Sequence, residues 1–117
     1  MTVKECYSQM GGDYNNVLSR FYDEATIKRL LGRFIDDTSF RALEQAMTEG
    51  NMQAAFNAAH TLRGVCQSLS FTQLCGTLNP ITEALRGGNI AAAAADMDKA
   101  KREYDVTLSA IRACMEN

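Results

Sequence analysis

Apolar residues recur along this 117-residue chain at spacings of three and four, the period of an α-helix, with no convincing two-residue alternation of a strand. Two short helices are predicted near Val3–Gln9 and Asp13–Tyr22, separated by the Gly11-Gly12 break. Ile27, Leu30, Leu31 and Phe34 then form an amphipathic stripe. Asp36 and Asp37 offer N-caps for the next helix, whose stripe is Phe40, Leu43 and Met47 and which Gly50 ends. Asn51 can cap the helix that carries the single histidine, His60. Thr72 can cap the one after it, with Leu74, Leu78, Ile81 and Leu85 inward and Gly87-Gly88 closing it. Pro80 lies inside that element and should kink it or mark a restart, because it lacks a backbone donor and crowds the preceding turn. A long final helix is expected from Ile90 to Cys114, burying Met97, Tyr104, Leu108 and Ile111.

Long helices joined by such short connections must be antiparallel neighbours. The predicted fold is therefore all-α: an up-down-up-down four-helix bundle with two or three short N-terminal helices packed across one end. With no repeat and no Pro/Ser-rich linker, residues 1–117 read as one helical domain.

The histidine helix can be resolved by angle. At about 100° per residue, Arg63, Gly64, Gln67 and Phe71 fall within about 60° of His60, and Phe56 lies on the same side. Ala55, Ala58, Ala59, Leu62, Val65, Cys66 and Leu69 gather on the opposite side and form the core stripe. His60 is thereby expected to face solvent or a partner rather than the core. Gly64 costs about 1 kcal/mol relative to alanine in a helix interior, yet it stands one turn beyond the imidazole, where a missing side chain clears an approach path. Arg63 adds a permanent cation whose planar fork suits phosphoryl oxygens.

Composition narrows what such a face can do. A 46% hydrophobic and 22% charged chain is that of a soluble globular protein. Twelve basic against fourteen acidic residues give a net charge of −2, which argues against nucleic acid as the main partner. The N-terminus lacks the apolar core of a signal peptide, and the longest apolar run, IAAAAA from Ile90 to Ala95, is far short of a membrane span, so a cytoplasmic protein without a membrane partner is expected. Cys6, Cys66, Cys75 and Cys114 include no C-x-x-C pair, and one histidine completes no usual zinc spacing. Free thiols and no metal follow. Cys66 falls on the core side of its helix, which disfavours a reactive thiol paired with His60. The run DKAKRE from Asp98 to Glu103 reads as a solvated helix face.

An accessible imidazole, a neighbouring cation and steric clearance suit one chemistry. A free imidazole titrates near about 6.5, so its neutral ring is abundant at pH 7 and can attack phosphorus through a ring nitrogen. No G-x-x-x-x-G-K-[ST] loop is present to cradle a nucleotide, and no acidic cluster suggests a magnesium site. The chain is therefore expected to hold no cofactor and to be no enzyme in its own right, its partner supplying the remaining machinery.

The segment HTLRGVCQSLSF resembles the H-x-L-[KR]-G signature of histidine-containing phosphotransfer (HPt) domains, the relay modules of multistep two-component signalling. VLSRFYDEATIKRLLGRF is similar to that family's N-terminal helices, and ALEQAMTEGNMQAAFNAAHTLRG to the hairpin leading into its histidine. The resemblance implies that His60 is phosphorylated, that Arg63 stands where lysine is usual, and that Gly64 lets a receiver domain's aspartate approach. It further implies that Arg86 is a basic residue near the phosphoryl group and that Thr82 can hydrogen-bond the imidazole in place of a glutamine found in some members. Gln67 is a candidate partner contact and Phe56 a docking anchor. Ser70 departs from the pattern, since many members have a glycine there that helps end the helix.

The implied function is to relay a phosphoryl group between receiver-domain aspartates, with response-regulator receivers as partners and a hybrid sensor histidine kinase as a further one. One rival reading is a helical module that binds a receiver or kinase without carrying phosphate; another, a small thiol or metal protein, has little support from the cysteine spacing. The initial Met and compact length suggest a free-standing protein, although a domain cut from a hybrid kinase would look the same.

Overall fold

The structure, a computed structural model, describes residues 1–116. Helices are α1 (Val3–Met10), α2 (Tyr14–Phe21), α3 (Glu24–Ile35), α4 (Ser39–Glu49), α5 (Met52–Ser68), α6 (Thr72–Arg86), α7 (Ile90–Ala95) and α8 (Met97–Met115). Local chemistry explains most of the boundaries. Thr2 and Glu5 form a reciprocal capping box on α1. The Asp13, Asp23, Asn51 and Asn89 side chains each accept a backbone N–H in the first turn that follows them.

Helices α4, α5, α6 and α8 form the bundle. Connections of Gly50-Asn51, Leu69–Phe71 and Gly87–Asn89 hold α4 against α5, α5 against α6, and α6 against α7 and α8. Phe40 of α4 stacks on Tyr104 of α8, with ring centroids 4.3 Å apart and planes 10° from parallel, so the ring of helices closes. The three leading helices gather at the end where α5 stops and α6 begins, and α1 and α3 lie on α8. There the Tyr7 hydroxyl donates to the Leu69 carbonyl at 2.8 Å, and the Asp13 amide donates to the Ser70 carbonyl at 2.9 Å. Gly12 fits this corner because a Cβ would stand 2.6 Å from the Tyr7 ring and 3.0 Å from the Ser70 carbonyl oxygen.

Several expectations needed adjustment. The last helix is not continuous. It breaks at Asp96, whose amide donates to the Ala93 carbonyl three residues back, tightening one turn between α7 and α8. On α8 the fully buried positions are Ala100, Thr107, Ala110, Ile111 and Cys114, whereas Met97, Tyr104 and Leu108 are half-buried at the margin. Small residues there let α1 and α6 approach closely. Thr38, not Asp36 or Asp37, is the N-cap of α4, although the Asp37 carboxylate accepts the Ser39 amide at 2.8 Å. Thr72 is the first residue of α6 rather than its cap. α6 also runs through Pro80 without a restart. Pro80 leaves the Gly76 carbonyl without its helical donor, a loss water can make good because both residues are exposed.

Candidate functional site

α5 starts at its Asn51 cap and buries Ala55, Ala59, Leu62 and Cys66 in the core, with Leu69 following at its end. Ala58 and Val65 flank that stripe half-buried. His60 projects from the opposite wall and is exposed, as the angular reading expects. Phe56, one turn earlier, stacks on it with ring centroids 5.7 Å apart and planes 25° from parallel. The Arg86 guanidinium lies 5.1 Å from the centroid of the Phe56 ring. Phe56 is therefore half-buried between an imidazole and a cation rather than roofed by the N-terminal helices.

Arg63 and Arg86 meet at a residue the sequence reading passed over. Glu83 accepts from Arg63 Nη1 at 3.0 Å and from Arg86 Nε at 3.2 Å and 3.4 Å through its two carboxylate oxygens. The hydrogen bond from Arg63, and then the one from Arg86, holds the Glu83 carboxyl below the ordinary carboxylate range. Only 16% of the Arg63 side chain is exposed against 57% of Glu83, so the arginine lies flat across the α5–α6 seam. A usable signal existed in Asn79, Glu83 and Arg86, which share one face of α6 at intervals of four and three.

Thr82 does not take the role expected of it. It is fully buried, and its hydroxyl donates to the Leu78 carbonyl of its own helix at 2.8 Å, directed inward rather than to the imidazole. Phe71 is likewise off the histidine face. α5 ends at Ser68 and Ser70 adopts a left-handed φ of 58°, which swings Phe71 into the core against Tyr7 and Phe34. A 100° step has no meaning beyond the last helical residue. Ser70 stands in a conformation that favours glycine, and its hydroxyl donates to Asn16 Oδ1 at 2.6 Å.

Gly64 is exposed, and no atom outside its own stretch of helix lies within 4 Å of where a Cβ would stand. On one side it borders an apolar groove lined by Phe21, Leu30, Val65 and Leu69; on the other it borders a polar cleft with Gln67, Ser70 and Asn79. Gln67 is exposed, and its carbonyl accepts from Arg20 Nη1 at 3.0 Å. Arg20 thus places a cation at the C-terminus of α5, where the helix dipole is negative. The placement of Arg20, Phe21 and Leu30 beside α5 cannot be read in the sequence, because their relation to that helix is wholly long-range.

The four cysteines are free thiols. Burial pushes Cys6 up to about 12 and Cys66 higher still. Burial also raises Cys75, but Arg63 and a hydrogen bond from Gln67 pull the other way, and its side chain is only half-buried. Iodoacetamide at pH 8 is therefore expected to alkylate Cys75 well before Cys6 or Cys66, as read by peptide mass spectrometry. Faster modification of Cys66 would contradict the burial of the α5 stripe.

A sequence model of the Hpt domain matches residues 29–117, beginning inside α3 and covering the bundle and His60. No curated protein and no solved structure gives a significant match to the chain.

Proposed function

Since the chain belongs to the Hpt domain family, whose members are phosphocarriers in two-component signalling rather than enzymes, we propose that His60 carries the phosphoryl group between the aspartates of two receiver domains. The observation that carries this reading is an exposed imidazole with open space over Gly64 one turn on and the Arg63 cation on the same helix. In the accepting step a ring nitrogen forms the new P–N bond as the acyl-phosphate P–O bond of the donor breaks. The carboxylate leaves and the ring proton passes to water. Arg63 and Arg86 offset the charge of the phosphoryl oxygens. Phe56, Gln67 and the groove of Phe21 and Leu30 meet the receiver, with a hybrid sensor histidine kinase as a further partner and the cytoplasm as the setting. Thr82, buried beneath this face, has no part in it.

The test is incubation with a phosphorylated receiver domain, following acid-labile label. Label is expected on wild type and absent from His60→Gln, whose exposed position leaves folding intact. Transfer that persists in His60→Gln would reject the assignment. Binding of the receiver without any phosphohistidine, read by mass spectrometry at neutral pH, would favour a non-phosphorylated interaction module.

A further inference from the structure

Arg63 and Arg86, the two cations assigned above to the phosphoryl oxygens, are both engaged by one carboxylate. Glu83 sits 3.0 Å from Arg63 and 3.2 Å from Arg86, while Arg86 also covers the Phe56 ring that stacks on His60. Arg63, Glu83, Arg86, Phe56 and His60 thus form one continuous strip across the α5–α6 seam. We propose that Glu83 is a positioning residue that competes with the phosphoryl group: it holds both arginines in the unphosphorylated protein and must release at least one when His60 is charged. The inference rests on His60 being the phosphoryl carrier.

Two electrostatic effects set the direction. A carboxylate beside the site neutralises cations that would otherwise face the phosphoryl oxygens. It also repels the incoming dianion. Both effects disfavour phosphohistidine, so removal of the charge acts in one sense only. The Glu83–Arg86 pair is weak enough to exchange, since both side chains are more than half exposed and exposed pairs contribute little to stability. Glu83 lies outside the core, so its replacement leaves the bundle intact.

Glu83→Gln, which keeps shape and removes charge, tests the proposal. Wild type and variant are treated with potassium phosphoramidate, a donor with no docking surface of its own. A ring nitrogen of His60 bonds to phosphorus as the donor P–N bond breaks, and ammonia leaves with the ring proton as ammonium. Label at His60 is read by mass spectrometry at neutral pH, and its decay is followed after donor removal. The variant is expected to charge about five-fold faster and hold the label longer, with the difference shrinking as salt rises from 50 mM to 1 M. Glu83→Asp, which keeps the charge, is expected to behave like wild type. Equal rates and lifetimes in wild type and Glu83→Gln at all salt concentrations would overturn the competition while leaving His60 as the carrier. Slower charging of Glu83→Gln would also overturn it, because the carboxylate would then be aiming the arginines at the phosphoryl group. Absence of label in every form, from phosphoramidate and from a phosphorylated receiver alike, would remove both this inference and the carrier reading beneath it.

Discussion

Phe71→Ala is expected to destabilise the fold by about 3–5 kcal/mol, the range for deleting a buried aromatic ring. Phe71 is 1% exposed and stands edge-on to Phe34, with centroids 5.0 Å apart and planes at 83°, while Tyr7 leans on it at 6.0 Å. Those partners come from α3 and α1, so the lost ring opens a cavity where the leading helices meet the bundle. Against a typical stability of about 5–15 kcal/mol this is a large fraction. Urea unfolding followed by helical circular dichroism checks it as a lower midpoint at unchanged slope. A loss below about 1 kcal/mol would mean the corner is not packed as described. The same corner sets the relation of α5 to α6, and hence of Arg63 to Glu83 and Arg86. Receiver-dependent labelling is expected to weaken in this variant at temperatures where it remains folded.

At Gly64 stability and transfer are expected to move in opposite directions. Gly64→Ala meets no other atom and replaces a poor helix former in mid-helix, so it is expected to stabilise the fold by up to about 1 kcal/mol. Gly64→Leu is also expected to fold, but its side chain would stand one turn from the imidazole, on the approach path proposed for a receiver. Transfer from a phosphorylated receiver is expected to fall at least about ten-fold, equivalent to about 1.4 kcal/mol of barrier. Labelling by phosphoramidate, too small to touch that side chain, is expected to change by less than about two-fold. The contrast between the two donors is the informative measurement. An equal fall with both would indicate a disturbed imidazole rather than a blocked approach, and no fall with either would remove the reason offered for glycine at this position.

Acidification bears on the Glu83 contacts. Its carboxyl is held below its ordinary value by Arg63 and Arg86, so the pairing contributes above the ordinary carboxylate range and is lost as pH falls through the depressed value. Across the neutral range where phosphohistidine persists, the Glu83 carboxylate is therefore ionised and able to hold the arginines of the unphosphorylated protein.

Periodicity alone is enough for α5 and α6, whose inward stripes it identifies. In α5, every side chain assigned inward is buried or half-buried and His60 is outward, because 3.6 residues per turn is a property of the chain wherever it stays helical. Caps were legible where a short polar side chain precedes an apolar run, as at Asn51 and Asp13. The same reasoning misjudged Phe71, since Ser70 turns left-handed and the angular register ends there. It also missed Asp96, because a run of alanines carries no pattern that marks a break.

The face around His60 divides along the same line. His60, Arg63 and Gly64 share one helix, and their mutual placement follows from local geometry that any sequence reader can compute. Thr82 and Glu83 are adjacent in the chain yet face opposite ways, one inside the bundle and one across the seam. Which of them meets α5 depends on how α6 is rotated against its neighbour. That rotation is set by the burial of Leu74, Leu78, Ile81 and Leu85 together, a balance spread over every contact in the core and written in no single stretch of residues.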